Sequence, residues 1–216
     1  MFFSQTCMKR VITEMMNPLY QNFFVEHNFN GSESISRKEY LDSRDGLVQT
    51  VKGIFKMEGI PEEFAWIMMV ESQGKQDAVS RSGAVGLFQL MPTTALRYGL
   101  NVFWIDERYD AEKNTIAAAR YLRRLYTIFH SWDLAIAAYN AGEGCISRAL
   151  KRNNETNFWN IQFDIPSQAS TYVLKVRREI LEREGLDLSG LPAPPAPCVS
   201  LNFRLLFLTS LRSIFV

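Results

Sequence analysis

The run Phe64–Val70 is the feature that most constrains how this chain folds. Its residues, Phe-Ala-Trp-Ile-Met-Met-Val, are all apolar, and the acidic residue Glu71 follows them directly. A helix that is apolar on nearly every side offers no face to water, so it must lie inside a core that other elements build. The run therefore predicts a buried helix over about 61–72, opened by Pro61 and carrying a carboxylic acid at its end.

Helical periodicity on both sides of this run supplies the surrounding elements. Leu47, Val51, Ile54 and Phe55 recur at helical spacing and predict a helix that starts near Gly46. The patterns further along predict a short helix from Pro92 to near Gly99, a long one capped by Asp110 and reaching about Tyr126, one over Trp132–Asn140 capped by Ser131 and broken by Gly142 and Gly144, and two over 145–152 and 167–183. The stretch 73–86 is predicted to be a loop with at most a short strand pair. Because no run alternates with period two, the predicted fold class is mainly α.

Composition excludes several classes of function. A chain of 216 residues that is 47% hydrophobic and 22% charged is long and apolar enough for one folded domain. The net charge of +1, spread along the chain, gives no basis for a nucleic-acid partner. The three cysteines and two histidines stand far apart, without the spacing of metal ligands. We therefore expect no metal, no cofactor and no nucleic acid, and we expect a monomer.

The ends of the chain differ in character from its middle. We predict an irregular segment over 1–45, one helical domain over 46–187, a Pro-rich linker over 188–197 and an apolar tail over 198–216. The tail carries two arginines and is borderline in length for a membrane span, so it is equally an amphipathic surface segment or an out-of-frame translation. The start shows no secretory signature, which predicts either an internal protein or a mature, truncated or mis-started chain.

The position of Glu71 favours an acid that stays protonated near neutral pH. Burial beside Trp66, Ile67 and Val70 disfavours the carboxylate and raises its pKa, and so does the negative end of a helix dipole. A protonated carboxyl is the group that cleavage of a glycosidic bond requires. The alternative is that Glu71 is simply the first solvated residue after a core helix.

The residues that follow Glu71 are of types that line a sugar-binding cleft. Ser72 is placed to hydrogen-bond the Glu71 carboxyl, although a serine at a helix end is usually only a cap. Gly83 and Gly86 permit a positive φ or a close approach of backbone to a polymer chain. The list of candidate cleft residues in this stretch is completed by Gln89, whose amide suits an N-acetyl group or sugar hydroxyls, and Met91, which is an apolar wall or else core packing.

Two later clusters add candidates. Tyr139 and Asn140 stand at a predicted helix end within Ala137–Gly142, with polar tips able to face a cleft. A core tyrosine with one satisfied hydroxyl is an equally good interpretation of Tyr139. Tyr172 follows much later in the chain and indicates nothing when it is taken alone.

Together these segments resemble the three signature motifs of the family 1 lytic transglycosylases, whose soluble-lysozyme-like domains cleave peptidoglycan. The motifs are Glu71-Ser72, Gly83–Pro92 and Ala138–Gly142, and the similarity runs from about 46 to 183. The sequence around these motifs is most similar to that of the D-type membrane-bound members. The resemblance implies a small α-helical lysozyme-like domain with peptidoglycan glycan strands as its partner. It also implies a location in the periplasm or cell envelope, whereas membrane association is not established by the sequence.

The resemblance implies a role for each candidate residue. Glu71 is the single catalytic acid and base, and Ser72 orients it. The residues implied to line the glycan cleft are Gln89, Met91, Tyr139 and Asn140. The hydroxyl of Tyr172 approaches the glutamate, although Gln168-Ala169 replaces the Glu-Thr that is common before this tyrosine.

The absence of a clear second carboxylate predicts the reaction type. Glycosidases with two carboxyls hold them about 5–5.5 Å or 6.5–9.5 Å apart, and Asp77, the nearest acid in sequence, lies in a predicted loop. We therefore expect Glu71 to cleave the β-1,4 bond between N-acetylmuramic acid and N-acetylglucosamine alone, with formation of 1,6-anhydromuramic acid. The alternatives are a lysozyme-type hydrolase of the same fold and a non-catalytic peptidoglycan-binding or decayed protein.

Overall fold

The structure is a computed structural model that describes residues 44–195, in which eight α-helices and three short 3-10 helices follow one another. The α-helices are α1 Arg44–Met57, α2 Ile67–Glu71, α3 Pro92–Arg97, α4 Ala111–Phe129, α5 Trp132–Ala141, α6 Glu143–Asn153, α7 Phe158–Ile161 and α8 Ser167–Glu184; the 3-10 helices are Glu62–Trp66, Glu107–Tyr109 and Leu188–Gly190. Within the described residues, extended pairing is limited to isolated bridges at Val79–Val85 and Val85–Leu90. The predicted mainly α fold class is confirmed.

The apolar run lies in the core, as its composition predicts. Phe64, Ala65, Ile67 and Met68 are all at most 1% exposed. The run is not one helix over 61–72, however. Pro61 precedes a 3-10 turn, Glu62–Trp66, and the α-helical part starts only at Ile67. 3-10 turns are frequent at the N-termini of α-helices.

Helix α5 is the centre of the packing. It contacts α4 on one side and α8 on the other, and its residues from Leu134 to Ala138 are at most 1% exposed. Its alanines let the neighbouring helices approach closely. At its start, the Trp132 ring packs on Phe64 and on Tyr126, with ring centroids 4.5 and 4.3 Å apart. The apolar run, α4 and α5 therefore share one core.

The predicted caps are present, while some helix boundaries differ. The Asp110 carboxylate accepts a hydrogen bond from the Lys113 N–H, and the Ser131 hydroxyl accepts one from the Leu134 N–H. Helix α4 continues to Phe129, beyond the expected end at Tyr126. The prediction that Gly144 helps to break the helix over Trp132–Asn140 was wrong, because Gly142 alone ends α5 and Gly144 lies in the first turn of α6.

The chain after α8 folds back onto the helices. Leu188 is 1% exposed, and the Trp132 indole N–H donates to the Pro192 carbonyl at 3.0 Å. Contact with the helical domain thus extends into the predicted linker 188–197. Most of the predicted N-terminal segment 1–45 and the whole tail 198–216, including the membrane span considered for it, lie outside the described residues. Across residues 44–195, every helix is too short or too polar to cross a bilayer.

Candidate active site

Glu71 is the last residue of α2, and it opens onto a cleft of about 380 Å³ where α2, α5 and α8 meet. The described residues that line this cleft are Val70, Glu71, Asn140, Ser167, Gln168, Thr171, Tyr172 and Lys175. Among them Glu71 is the only carboxylic acid. Asp77 is exposed and does not line the cleft. The geometry therefore offers one acid to a ligand in this space.

Tyr172 is the direct partner of Glu71. Its hydroxyl donates to Glu71 Oε1 at 2.5 Å, although the two residues are far apart in sequence. Burial raises the pKa of Glu71 from its ordinary 4.5 to about 7, and the hydrogen bond from Tyr172 opposes this rise by favouring the carboxylate. Burial also raises the pKa of Tyr172 well above its ordinary value, so its hydroxyl remains a proton donor. The site can therefore hold Glu71 in either protonation state near neutral pH.

Ser72 does not orient the Glu71 carboxyl directly. Its hydroxyl lies 2.8 Å from the carbonyl oxygen of Leu87 and 3.1 Å from that of Met68. The residue is buried, with 6% of its surface exposed. Ser72 thus ties the end of α2 to the loop 83–91, and the expectation of a hydrogen bond to the Glu71 side chain was wrong.

The two candidates from the end of that loop, Gln89 and Met91, are not among the described residues that line the cleft. The Gln89 amide turns back into its own loop, where Nε2 donates to the carbonyls of Ala78 and Gly86 at 3.0 and 2.8 Å. The two amide N–H donors of Gln89 therefore stabilise its own backbone, which has a positive φ of 49°, and they are not available to an N-acetyl group. Met91 is 41% exposed just before α3. Their roles toward a glycan stay predictions.

Asn140 lines the cleft, whereas Tyr139 supports it from behind. The Tyr139 hydroxyl donates to the Phe88 carbonyl at 2.8 Å, and its ring packs on Tyr121 with centroids 5.2 Å apart. The pKa of Tyr139 is raised well above its ordinary value, first by burial and then by the nearby charge of Glu71. The core interpretation of Tyr139, with a satisfied hydroxyl, describes its geometry.

Two residues that the sequence did not single out hold the loop 83–91 in place. Asn114 is fully buried in α4; its side chain accepts from the Phe88 N–H at 2.8 Å and donates to the carbonyls of Arg108 and Val85. The Arg108 guanidinium donates to the carbonyls of Gly83 and Leu90 at 2.8 and 2.9 Å and pairs with Asp106. A polar residue on the buried face of a helix is the signal that marks Asn114.

Gly86 is required by the packing of the protein itself. It has a φ of 85°, and a Cβ atom there would stand 2.0 Å from the Arg108 carbonyl oxygen. Gly86 has the positive φ that the sequence allows for, and its close approach is to the backbone of Arg108. An approach of this loop to a polymer chain stays a prediction. Gly83 also has a positive φ, 86°, but no atom lies within 4 Å of the place where its Cβ would be.

The family model described as "Transglycosylase SLT domain" matches residues 52–162, which is more than half of the chain. This chain belongs to the transglycosylase SLT family. The resemblance seen in the three motifs is thereby confirmed. The matched segment includes Glu71, the loop 83–91 and Asn140, whereas Tyr172 and all of α8 lie beyond it.

Two relatives of this SLT chain carry different names. It is 34% identical over 132 residues to the membrane-bound lytic murein transglycosylase D of Escherichia coli K12, an alignment that covers 58% of this chain and 29% of the relative. It is 36% identical over 101 residues to a putative tributyltin chloride resistance protein of Alteromonas sp. M-1, covering 45% and 49%. The SLT chain thus spans less than a third of the first relative and about half of the second.

Solved structures show the same fold. The 70 kDa soluble lytic transglycosylase of Escherichia coli matches with a TM-score of 0.56 at 23% identity, over 72% of this chain and 27% of that one. An inactive mutant of the lytic transglycosylase Slt from Pseudomonas aeruginosa matches with a TM-score of 0.55 at 22% identity, over 81% and 29%. The predicted lysozyme-like transglycosylase fold of the SLT domain is confirmed by these likenesses.

Proposed function

We propose that this chain is a peptidoglycan lytic transglycosylase. It cleaves the β-1,4 bond between N-acetylmuramic acid and N-acetylglucosamine and leaves 1,6-anhydromuramic acid ends. The observation that carries the proposal is the single cleft carboxyl of Glu71, whose pKa burial raises to about 7 while Tyr172 donates a hydrogen bond to it. Such a group can give up a proton and take one back within a single reaction.

In the first step Glu71 acts as the general acid. The bond between muramic acid C1 and the glycosidic oxygen breaks, and the proton of Glu71 goes to that oxygen, which leaves as the 4-hydroxyl of N-acetylglucosamine. The muramyl N-acetyl oxygen assists at C1, because the cleft offers no second carboxylate among its described residues. Glu71 is now a carboxylate, and Tyr172 stabilises that charge by its hydrogen bond.

In the second step Glu71 acts as the general base. The muramyl 6-hydroxyl attacks C1, a bond forms between O6 and C1, and the hydroxyl proton goes to the Glu71 carboxylate. The anhydro ring closes, the acetamido group is released and Glu71 returns to its protonated state. No water is consumed, so one group performs both proton transfers.

The substrate implies where and how the protein works. Peptidoglycan glycan strands are its proposed partner, and its proposed place of action is the cell envelope, in keeping with the membrane-bound relative from Escherichia coli. Glu71 and its partner Tyr172 belong to the same chain, and we propose that the protein acts as a monomer.

Mass spectrometry of the products tests the proposed reaction. Digestion of purified sacculi by the wild-type protein is expected to release muropeptides that end in 1,6-anhydromuramic acid. Each such product is one water, about 18 Da, lighter than its hydrolytic counterpart. Reducing muramic acid ends would instead establish the lysozyme-type hydrolase, and intact sacculi that still bind the protein would establish a binding function.

Tyr172→Phe is expected to change the pH dependence of the reaction. Removing the hydroxyl takes away the hydrogen bond that lowers the pKa of Glu71, so this pKa rises and the alkaline loss of activity moves to higher pH. The rate at the optimum should fall roughly tenfold, because the Glu71 carboxylate formed in the first step loses its partner. Initial rates between pH 4 and 9 measure both effects.

Tyr109→Phe is the matched control, since Tyr109 is 46% exposed outside the cleft. It should reproduce the wild-type profile. An unchanged alkaline limb in Tyr172→Phe would show that this tyrosine does not tune the acid.

A further inference from the structure

Helix α8 presents a row of polar side chains to the cleft that the two proton transfers do not use. Ser167, Gln168, Thr171 and Lys175 all line the cleft. The last three are spaced i, i+3 and i+7, so they share one face of the helix with Tyr172. Their hydroxyl, amide and ammonium groups are all hydrogen-bond donors. The row spans about 12 Å along the helix axis, which is longer than a single sugar substituent requires.

Lys175 gives this row its charge. It is the only cationic side chain among the described residues that line the cleft. It forms no ion pair within residues 44–195, whereas its neighbours on α8 are engaged. Arg177 pairs with Asp133 and Asp187 at 2.7 and 2.5 Å, and Arg178 pairs with Glu182 at 2.7 Å.

The direction of the helix adds to the positive potential. Side chains on a helix lean toward its N-terminus, so the Lys175 stem extends back over Thr171. The N-terminus of α8 borders the same cleft, and its N-cap residue Pro166 supplies no side-chain hydrogen bond. The Ala169 N–H of the first turn donates to the Pro166 carbonyl at 2.8 Å, and the helix dipole leaves a partial positive charge at that end. The row Ser167, Gln168, Thr171 and Lys175 forms the α8 wall of the cleft. An anion that lies along the α8 wall meets hydrogen-bond donors at both ends.

We propose that the α8 wall binds a carboxylate carried by the lactyl side chain of muramic acid. That carboxylate is either the lactyl group itself, on a strand without peptides, or a carboxylate of the attached stem peptide. The proposal rests on the proposed function, because it concerns the substituent next to the bond that Glu71 cleaves. Lys175 is then a specificity residue that selects strands by the charge of this side chain.

The test compares three defined glycan substrates: strands without peptides, strands with stem peptides whose carboxylates are free, and strands whose stem carboxylates are converted to amides. Lys175→Met is expected to raise KM by roughly fivefold on the substrate that carries the recognised carboxylate. The amidated strands should show no change, and kcat should stay within about twofold on all three. The wild-type KM should rise with salt concentration, and this rise should be smaller in the variant.

Lys151→Met is the matched control, because Lys151 is an exposed lysine on α6 outside the cleft. It should leave all three KM values unchanged. A change confined to peptide-free strands assigns the carboxylate to the lactyl group, and one confined to peptide-bearing strands assigns it to the stem. Equal KM values for wild type and Lys175→Met on every substrate, or an equal loss on the amidated strands, would overturn the proposal.

Binding separates this proposal from the proposed function. The affinity of the same strands is measured calorimetrically in a Glu71→Gln background, with and without Lys175→Met. If the wild-type protein releases no anhydro ends but the lysine still discriminates in binding, the transglycosylase proposal fails and the carboxylate site stands. If anhydro ends form and the lysine discriminates in neither measurement, the carboxylate proposal fails and the transglycosylase proposal stands.

Discussion

Glu71→Gln is expected to lower the release of anhydro-muropeptides by roughly 10³- to 10⁴-fold. Glutamine keeps the size of the side chain and its place beside Tyr172 but can neither donate nor accept the proton. Because the proposed mechanism assigns both proton transfers to this one group, we expect both steps to be lost together. Quantitative mass spectrometry of digested sacculi measures the loss. Asp77→Asn, which neutralises the nearest exposed acid in sequence, should retain wild-type activity.

The same variant has a stability signature that unfolding cannot imitate. The pKa of Glu71 is raised on folding, from 4.5 to about 7, so the folded state loses stability as the pH rises through this window. The loss is on the order of 3 kcal/mol once the acid is ionised. Below about pH 4.5 this loss of stability is absent. Urea unfolding should therefore show Glu71→Gln to be more stable than wild type at pH 8 and similar to it at pH 4. Inactivity together with lower stability at pH 8 would contradict this account.

Gly86→Ala is expected to destabilise the protein by more than about 3 kcal/mol. The added Cβ would stand 2.0 Å from the Arg108 carbonyl oxygen and 2.5 Å from Asn114 Nδ2. Both distances are much shorter than a van der Waals contact, so the atoms would overlap. One of the two partners is a backbone atom, which cannot rotate away. Relief requires the loop 83–91 to leave Asn114, which breaks the hydrogen bond to the Phe88 N–H. Urea unfolding measures the change.

Gly83→Ala separates steric overlap from backbone strain. Gly83 and Gly86 have φ values of 86° and 85°, so both pay a similar penalty for a side chain at positive φ. No atom lies within 4 Å of a Cβ at Gly83. The expected loss there is about 1–2 kcal/mol. Equal losses at the two glycines would show that the contact with Arg108 is not what requires Gly86.

The helices were predictable because their patterns are local. The stripe from Leu47 to Phe55 and the caps at Asp110 and Ser131 depend on residues at most a few positions apart, and each gives the expected element. The 3-10 start of the apolar run was not predictable, because apolar composition shows burial but does not distinguish helix types. The short helix α7 was missed for a related reason, since four residues are too few for a period to be seen.

Of the candidate residues, the structure brings Glu71, Asn140 and Tyr172 together in the cleft, whereas the contacts of the other candidates were not predictable. Ser72, Gln89 and Tyr139 all hydrogen-bond to backbone carbonyls of the loop 83–91 or its neighbour Ala78. A motif shows that a polar residue is needed, but it does not show whether the partner is a ligand or the protein's own main chain. Asn114 serves the same loop from a helix outside the motifs. Only the folded structure reveals that this loop depends on contacts from several helices.

The hydrogen bond between Glu71 and Tyr172 links the chemistry to the order in which the chain is made. The two residues lie on α2 and on α8, near opposite ends of the domain's sequence. A nascent chain that has passed residue 162 contains the whole segment matched by the family model, yet its acid has no tyrosine partner and its cleft has no α8 wall. The domain therefore acquires its cleft only as its last long helix docks. A cleft that contains both Glu71 and Tyr172 can therefore form only after the chain has been synthesised through α8.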